Sequence, residues 1–325
     1  MRTPGVSVGI ALETVPVGIV SESVPVITLA VVLAVLFEKT IQEPPAKLHP
    51  VVWFGRAVAP IDSEWNYPRP VGLAVAIGYP LAGSIIVYLL VFEMWAVEPV
   101  AGVFVASVIL FVTTSLGMLL SEATAVIEAT EGNISAARDR LPALAGRDPA
   151  ELTSGEIRSA AVESASENLA DGLVAPLLAF TVFAPISLPL GAAAAWWVKA
   201  VNTLDSMLGY RSKAVGTASA RLDDIVMWVP ARVSAVLLSI SAAHPRALLT
   251  AKPLVSRPPS PNSGWPMGVL AAALAVRLEK PGSYELAGGS TLPSTVEAKR
   301  GVRIVGRAGI LAYALSALIG VILWL

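Results

Sequence analysis

Three carboxylates set four residues apart, Glu163, Glu167 and Asp171, form the most chemically loaded pattern in this chain. On an α-helix, positions i, i+4 and i+8 lie along one face, and unpaired acids stacked there repel one another. Such a row wants a cation: a hard metal ion, most plausibly magnesium, or lysine and arginine from elsewhere in the fold. The plainer reading is a solvated polar face at the end of a soluble helix, and spacing alone favours it. Position shifts the balance, because the row runs straight into the apolar segment that begins at Leu173. Asn168 lies beside it and can both donate and accept hydrogen bonds.

A second group follows. Lys199, Asn202 and Asp205 are spaced by three, with Thr203 and Ser206 adjacent and Trp196-Trp197 just before them. The tryptophans read as a headgroup-level belt, and Lys199 reads equally well as a snorkelling anchor. Asn202 and Asp205 are harder to dismiss, since polar groups beside a membrane segment cost free energy unless they meet partners or water. Arg221 and Asp224 fit a surface ion pair worth a few tenths of a kcal/mol, roughly. Asp223 is then left for a metal or a basic partner. Arg232, inside an apolar run, must lie near an interface or face a polar cavity. His49 is either a general base or a loop histidine packed on Trp53, and the second is simpler. Ser260–Pro266 is turn-rich and carries Trp265, the make-up of a binding loop. The phosphate-binding Gly-x-x-x-x-Gly-Lys pattern, the dinucleotide Gly-x-Gly-x-x-Gly and the Gly-x-Ser-x-Gly elbow are all missing.

The elements that must position these groups are helices in a bilayer. The chain has 325 residues, 55% hydrophobic and only 14% charged, with a mean hydropathy of +0.69. A soluble domain would be about a quarter charged. A net charge of −1 gives no case for nucleic acid as a partner. Without cysteine and with only His49 and His244, thiolate chemistry and histidine-rich metal sites are excluded. The expected fold is all-α: a polytopic helical protein of the cell membrane with five to six spans, forming one membrane-embedded domain over 1–325. Residues 1–23 lack the features of a cleaved signal peptide. Val24–Phe37, Val71–Leu90, Pro99–Leu120 and Ile304–Leu325 read as spans. Leu173–Val198 reads as one kinked span or a re-entrant pair, and Ile225–Ala243 as a further segment broken at Pro230. Residues 121–172 read as an extramembrane helical insertion, with an Asn133 cap and a Thr153/Glu156 capping box. Residues 38–70 and 244–303 read as polar loops.

Several motifs recur in one order: His49-Pro50-Val51-Val52-Trp53-Phe54-Gly55-Arg56, Glu163-Ser164-Ala165-Ser166-Glu167-Asn168 with Asp171-Gly172, Asn202-Thr203-Leu204-Asp205-Ser206-Met207, Ala220-Arg221-Leu222-Asp223-Asp224 with Pro230-Ala231-Arg232, and Ser260-Pro261-Asn262 with Gly264-Trp265-Pro266. Together they resemble the adenosylcobinamide-phosphate synthase family of cobalamin biosynthesis, over roughly residues 28 to 325. The resemblance implies an integral membrane ligase joining a carboxyl of adenosylcobyric acid to the amine of aminopropanol or its O-phosphate. It implies ATP as co-substrate, magnesium, and a bilayer shared with other membrane enzymes of the corrinoid pathway.

On that resemblance the residues take expected roles. Glu163, Glu167 and Asp171 would hold magnesium against nucleotide phosphates, with Asp205, Asp223 or Asp224 on a second ion or on the incoming ammonium. Arg221 and Arg232 suit phosphate, and His49 would deprotonate the amine. Asn168, Asn202 and Asn262 suit the corrin's peripheral amides, and Trp265 its apolar face. Arg56, Lys199, Thr203 and Ser260 complete the expected substrate contacts. The chain departs from the family pattern at Gln42-Glu43-Pro44, where Gly-Asp-Pro is usual, and at Glu38, where an aspartate is usual. Met227 replaces an asparagine, and the loop from Tyr210 to Gly216 is short. A transporter built on broken helices and a non-catalytic membrane regulator on the same scaffold are the competing readings.

Overall fold

A computed structural model of the chain describes residues 25–210 and 213–325. The lead before Val24 and part of the short loop after Tyr210 lie outside the described residues. The chain opens with α1 (Val26–Ile41), a short α2 (Pro50–Val58) inside the stretch expected to be a loop, and the long α3 (Pro68–Val97). Helices α4 (Pro99–Thr113) and α5 (Gly117–Gly132) follow, separated by a three-residue break. Glu38, near the end of α1, holds that break. Its Oε1 accepts the backbone N–H groups of Leu116 and, at 2.8 Å, Gly117, while its Oε2 accepts the Tyr313 hydroxyl at 3.0 Å. A carboxylate from another helix thus caps α5, satisfying donors that a helix start leaves open.

Asn133 caps α6 (Ile134–Arg140) by accepting from the Ala136 N–H. The reciprocal Thr153/Glu156 capping box starts α7 (Ser154–Leu169) as its sequence requires. Small residues dominate α7, and Ser159, Ala160, Ala161, Ser164, Ala165 and Ser166 are buried. They let α5, the later C-terminal helix and a short strand close on it. A π-turn over Ala170–Val174 leads into α8 (Ala175–Phe183), and four residues later α9 (Leu188–Leu208) doubles back on α8. Two helices packed on each other, not one kinked helix, occupy Leu173–Val198. Gly191 is required there, because a Cβ would meet the Ala184 Cβ at 2.6 Å.

Helices α10 (Thr217–Val226) and α11 (Trp228–Ser241) meet at Met227. The stretch expected to be a polar loop, 244–303, is in fact ordered. It contains α12 (Ala247–Ala251), an α13 (Gly264–Leu274) buried at every position but Trp265, and an antiparallel hairpin of β1 (Arg277–Lys280) and β2 (Tyr284–Ala287). The fold is therefore mostly helical, not all-α. The chain closes with α14 (Thr295–Trp324).

Among the described residues, three helical stretches are long and apolar enough to cross a membrane: Pro68–Val97, Pro99–Gly132 and Thr295–Trp324. A fourth counts if the α10–α11 pair, bent by 46°, is one span. Five to six spans were expected. The difference lies in α1, with 16 residues, and α8, with 9, both short of the ~20 a bilayer needs. The protein is thus multi-pass by length and composition, with a polar centre assembled around the end of α7.

Candidate functional site

The last turn of α7 is a partition between three cavities. On one side lies an acidic cleft of about 240 Å³, where Glu167 and Asp171 meet Asp205 from α9 and Asp223 and Asp224 from α10. The Pro259–Asn262 loop and Met227 close it. A middle cavity of about 270 Å³ shares Glu167 and Ser260 with the cleft and adds Arg147, Lys280 and Tyr284. A third, about 300 Å³, shares Asn168 with the middle one and adds Glu43, His49, Ser115 and Lys199.

The expected row of acids does not form one face. Each four-residue step on an α-helix turns by about 40° beyond a full circle, and the π-turn displaces Asp171 further. Glu163 consequently points into a different environment from Asp171, with Glu167 between them. Both oxygens of Glu163 are engaged. Its Oε2 meets Arg147 Nη2 at 2.7 Å and accepts the Tyr284 hydroxyl at 2.8 Å, while Oε1 accepts the Ser159 hydroxyl at 2.7 Å. Arg147 also donates to the Glu279 carbonyl at 3.2 Å, which ties α7 to the hairpin. Tyr284 stays protonated, its phenol raised by burial and then by Glu163. Glu163 was expected on a metal. The structure instead makes it the buried anchor of an ion pair, a role its spacing could not reveal.

The acids of the cleft are placed differently. Burial, and then the neighbouring Glu163, push the Glu167 carboxyl up to about 7. Burial, then Asp223 and Glu167, hold the Asp171 carboxyl well above the usual range. Neither forms an ion pair among the described residues. Asn202 Nδ2 lies 3.4 Å from Asp223 Oδ1, a weak contact. Gly209 makes room for Asp205, whose carboxylate a Cβ there would strike.

Other expected site residues also hold the scaffold together, some of them while lining the cavities. Asn262 accepts from Arg232 Nη1 at 2.9 Å and donates to the Asp224 carbonyl at 2.8 Å, pinning the loop to the end of α10. Arg232 lies over the Trp228 ring (4.2 Å) and beside Trp265 (5.2 Å). It holds that loop in place and does not line the cleft. Ser260 accepts the Asn262 N–H at 3.2 Å. Asn168 donates back to Ser164, and Thr203 to the Lys199 carbonyl. Arg56 and Arg221 are exposed and line none of the three cavities. His49 caps α2, its Nδ1 accepting the Val51 N–H at 3.2 Å. Burial holds its imidazole below the ordinary value. With Nδ1 engaged, the neutral ring keeps its proton on Nε2 and offers the third cavity a donor, not a base.

Sequence reasoning missed Arg147, Lys280 and Tyr284. The one local cue was Pro281-Gly282, a turn dipeptide that should have suggested a hairpin bringing Lys280 and Tyr284 back onto α7.

The side-chain donors of the cleft are mainly carboxylate oxygens, the set that a hard cation such as magnesium prefers. Among the described residues no three acidic or histidine side chains stand close enough to share one ion, so at most two of these carboxylates could meet the same one.

Similarities to known proteins agree on one family. A protein-family model described as CobD/Cbib protein matches residues 31–305. The chain is 36% identical over 312 residues to a probable cobalamin biosynthesis protein CobD of Methanothrix thermoacetophila, spanning 90% of this chain and 96% of that one. It is 34% identical over 277 residues to the cobalamin biosynthesis protein CobD of Rhodobacter capsulatus, spanning 80% and 85%. A probable CobD of Thermococcus kodakarensis is 35% identical over 280 residues, spanning 84% and 88%. No solved structure is significantly similar.

Proposed function

The chain belongs to the CobD/CbiB family of cobalamin biosynthesis proteins, and from that premise we propose that it is a membrane ligase. It joins a carboxyl of adenosylcobyric acid to the amine of aminopropanol or its O-phosphate, with ATP as co-substrate. The observation that carries this reading is the gathering of Glu167, Asp171, Asp205, Asp223 and Asp224 from separate elements around one cleft. Five acids in one cleft are costly to bring together unless a positive charge arrives.

Amide formation from a carboxylate needs the acid activated, typically as an acyl phosphate, and the amine neutral. Magnesium, when bound, supplies charge neutralisation for the nucleotide phosphates. One or two of Glu167, Asp205 and Asp223 would provide its protein ligands, with phosphate and water completing the shell. Asp171 holds protons more tightly than an ordinary aspartate and can take up a proton set free in the cleft. Asn262 and Arg232 keep the loop that covers the cleft in position. A corrinoid is far larger than the cleft, so only its reacting carboxyl arm enters.

The test is direct. Membranes containing the chain are incubated with adenosylcobyric acid, aminopropanol phosphate and magnesium–ATP, and the corrinoid is weighed by mass spectrometry. The expected result is an amide product that depends on all three additions. Transport of unaltered corrinoid across vesicles, with no amide formed, would overturn the reading.

A further inference from the structure

The cavity beyond Asn168 has a chemistry unlike that of the acidic cleft. Lys199, half-buried on α9, lines it, and among the described residues its ammonium makes no hydrogen bond and no ion pair. Asp171 and Glu43 favour its charge only from a distance, and a cation withdrawn from water with no anion in contact is one half of an unfilled pair. His49 supplies a second donor to the same space. Its Nδ1 is occupied by the Val51 N–H, so Nε2 carries the proton, and Nε2 has no partner among the described residues. Opposite in charge, Glu43 also lines the cavity, and its one side-chain partner is the Ser115 hydroxyl, which donates to Oε1 at 3.0 Å. Its Oε2 remains open. Glu122 at the rim is turned toward Arg140, 3.7 Å away.

We infer that this cavity is a binding site for a small molecule that carries both an anionic group and a primary ammonium. The anion, phosphate or carboxylate, sits on Lys199 and His49, and the ammonium on Glu43. A volume of about 300 Å³ admits a short aminoalkyl chain with such a headgroup and excludes a corrinoid. Asn168 and the last turn of α7 separate the site from the acidic cleft, so the two bind different charges. The inference rests on the proposed ligase reading only for its probe, a phosphorylated amino alcohol.

Calorimetric titration of the full chain in detergent tests it, without nucleotide or corrinoid. The probes are aminopropanol O-phosphate, unphosphorylated aminopropanol and inorganic phosphate. The amino phosphate is expected to bind most tightly. Lys199→Gln should weaken both phosphate-bearing probes by about tenfold or more, the worth of one charge-assisted hydrogen bond, and Lys199→Arg should recover most of that loss. Glu43→Gln should weaken the amino phosphate while inorganic phosphate binds no more weakly than before, since Glu43 acts on Lys199 and His49 and repels an anion in the same cavity. His49→Phe reads the anion end independently if Lys199→Gln does not fold, and it too should weaken both phosphates.

Undiminished binding of the amino phosphate to Lys199→Gln or His49→Phe would overturn the inference. So would equal affinity for the free amine and its phosphate. Amide formation on the same samples keeps the two ideas apart. Charge-dependent binding in a chain that makes no amide leaves this site standing and removes the ligase reading. Amide formation with an amino-phosphate KM indifferent to Lys199 does the reverse.

Discussion

Glu163 and Glu167 sit one turn apart on the same helix, yet the fold treats them in opposite ways. Glu163 borders the middle cavity, but Arg147, Tyr284 and Ser159 occupy both its oxygens. Glu167 opens on that cavity and on the acidic cleft. It forms no ion pair among the described residues, although Arg147 and Lys280 act on it from a distance, and its carboxyl is pushed up to about 7. A buried carboxylate with a full set of partners is structure. One left without partners among other acids is costly to the fold and available to a ligand. Residue type and spacing are the same for both, so only tertiary partners distinguish them.

Breaking the sealed region should have the largest effect. Arg147→Ala strands the buried Glu163 charge and is expected to cost about 3–5 kcal/mol, seen as a large drop in the thermal midpoint in detergent. An unchanged midpoint would mean that the two regions do not differ as described. Glu167→Gln should act on the other side of the contrast. Amide formation is expected to fall about a hundredfold, roughly 2.7 kcal/mol, with no loss of stability.

The pH dependence sharpens the same contrast. The folded Glu167 binds its proton more tightly than the unfolded chain does, so its contribution to stability is present below pH 4.5 and is lost as pH rises to about 7. Stability measured across that window should decline in the wild type and decline less in Glu167→Gln. Tyr284→Phe removes one donor from Glu163 and should cost about 1.5 kcal/mol, again without touching the cleft. Thr153→Ala, which deletes the cap at the end of α7 away from the acidic cleft, should cost about 1 kcal/mol and leave product formation unchanged.

What the sequence revealed follows the range of the interaction. The Thr153/Glu156 box, the Asn133 cap and the long apolar helices depend on residues within a few positions of one another, and they stand as their patterns imply. The gathering of Asp205 and Asp223 with Glu167 was legible as a motif order but not as geometry. Arg147 follows an exposed helix end and meets Glu163 across sixteen residues, so no spacing rule reaches it. The hairpin was hidden by its short, charged strands, although Pro281 and Gly282 (φ +73°), with the Ser283 N–H donating to the Lys280 carbonyl, form the turn that such a dipeptide encodes. Hydropathy gave five to six spans where three to four helices among the described residues are long and apolar enough to cross, because hydropathy does not register where a helix ends.

The most direct measurement is divalent-ion binding by the purified chain, read from the electron paramagnetic resonance of manganese standing in for magnesium. Wild type should bind the ion saturably. The Glu167→Gln, Asp205→Asn double variant should lose that binding, while Glu163→Gln keeps it in whatever fraction remains folded. Loss of binding in folded Glu163→Gln, with the double variant unaffected, would place the ion on the wrong side of the partition and contradict the account.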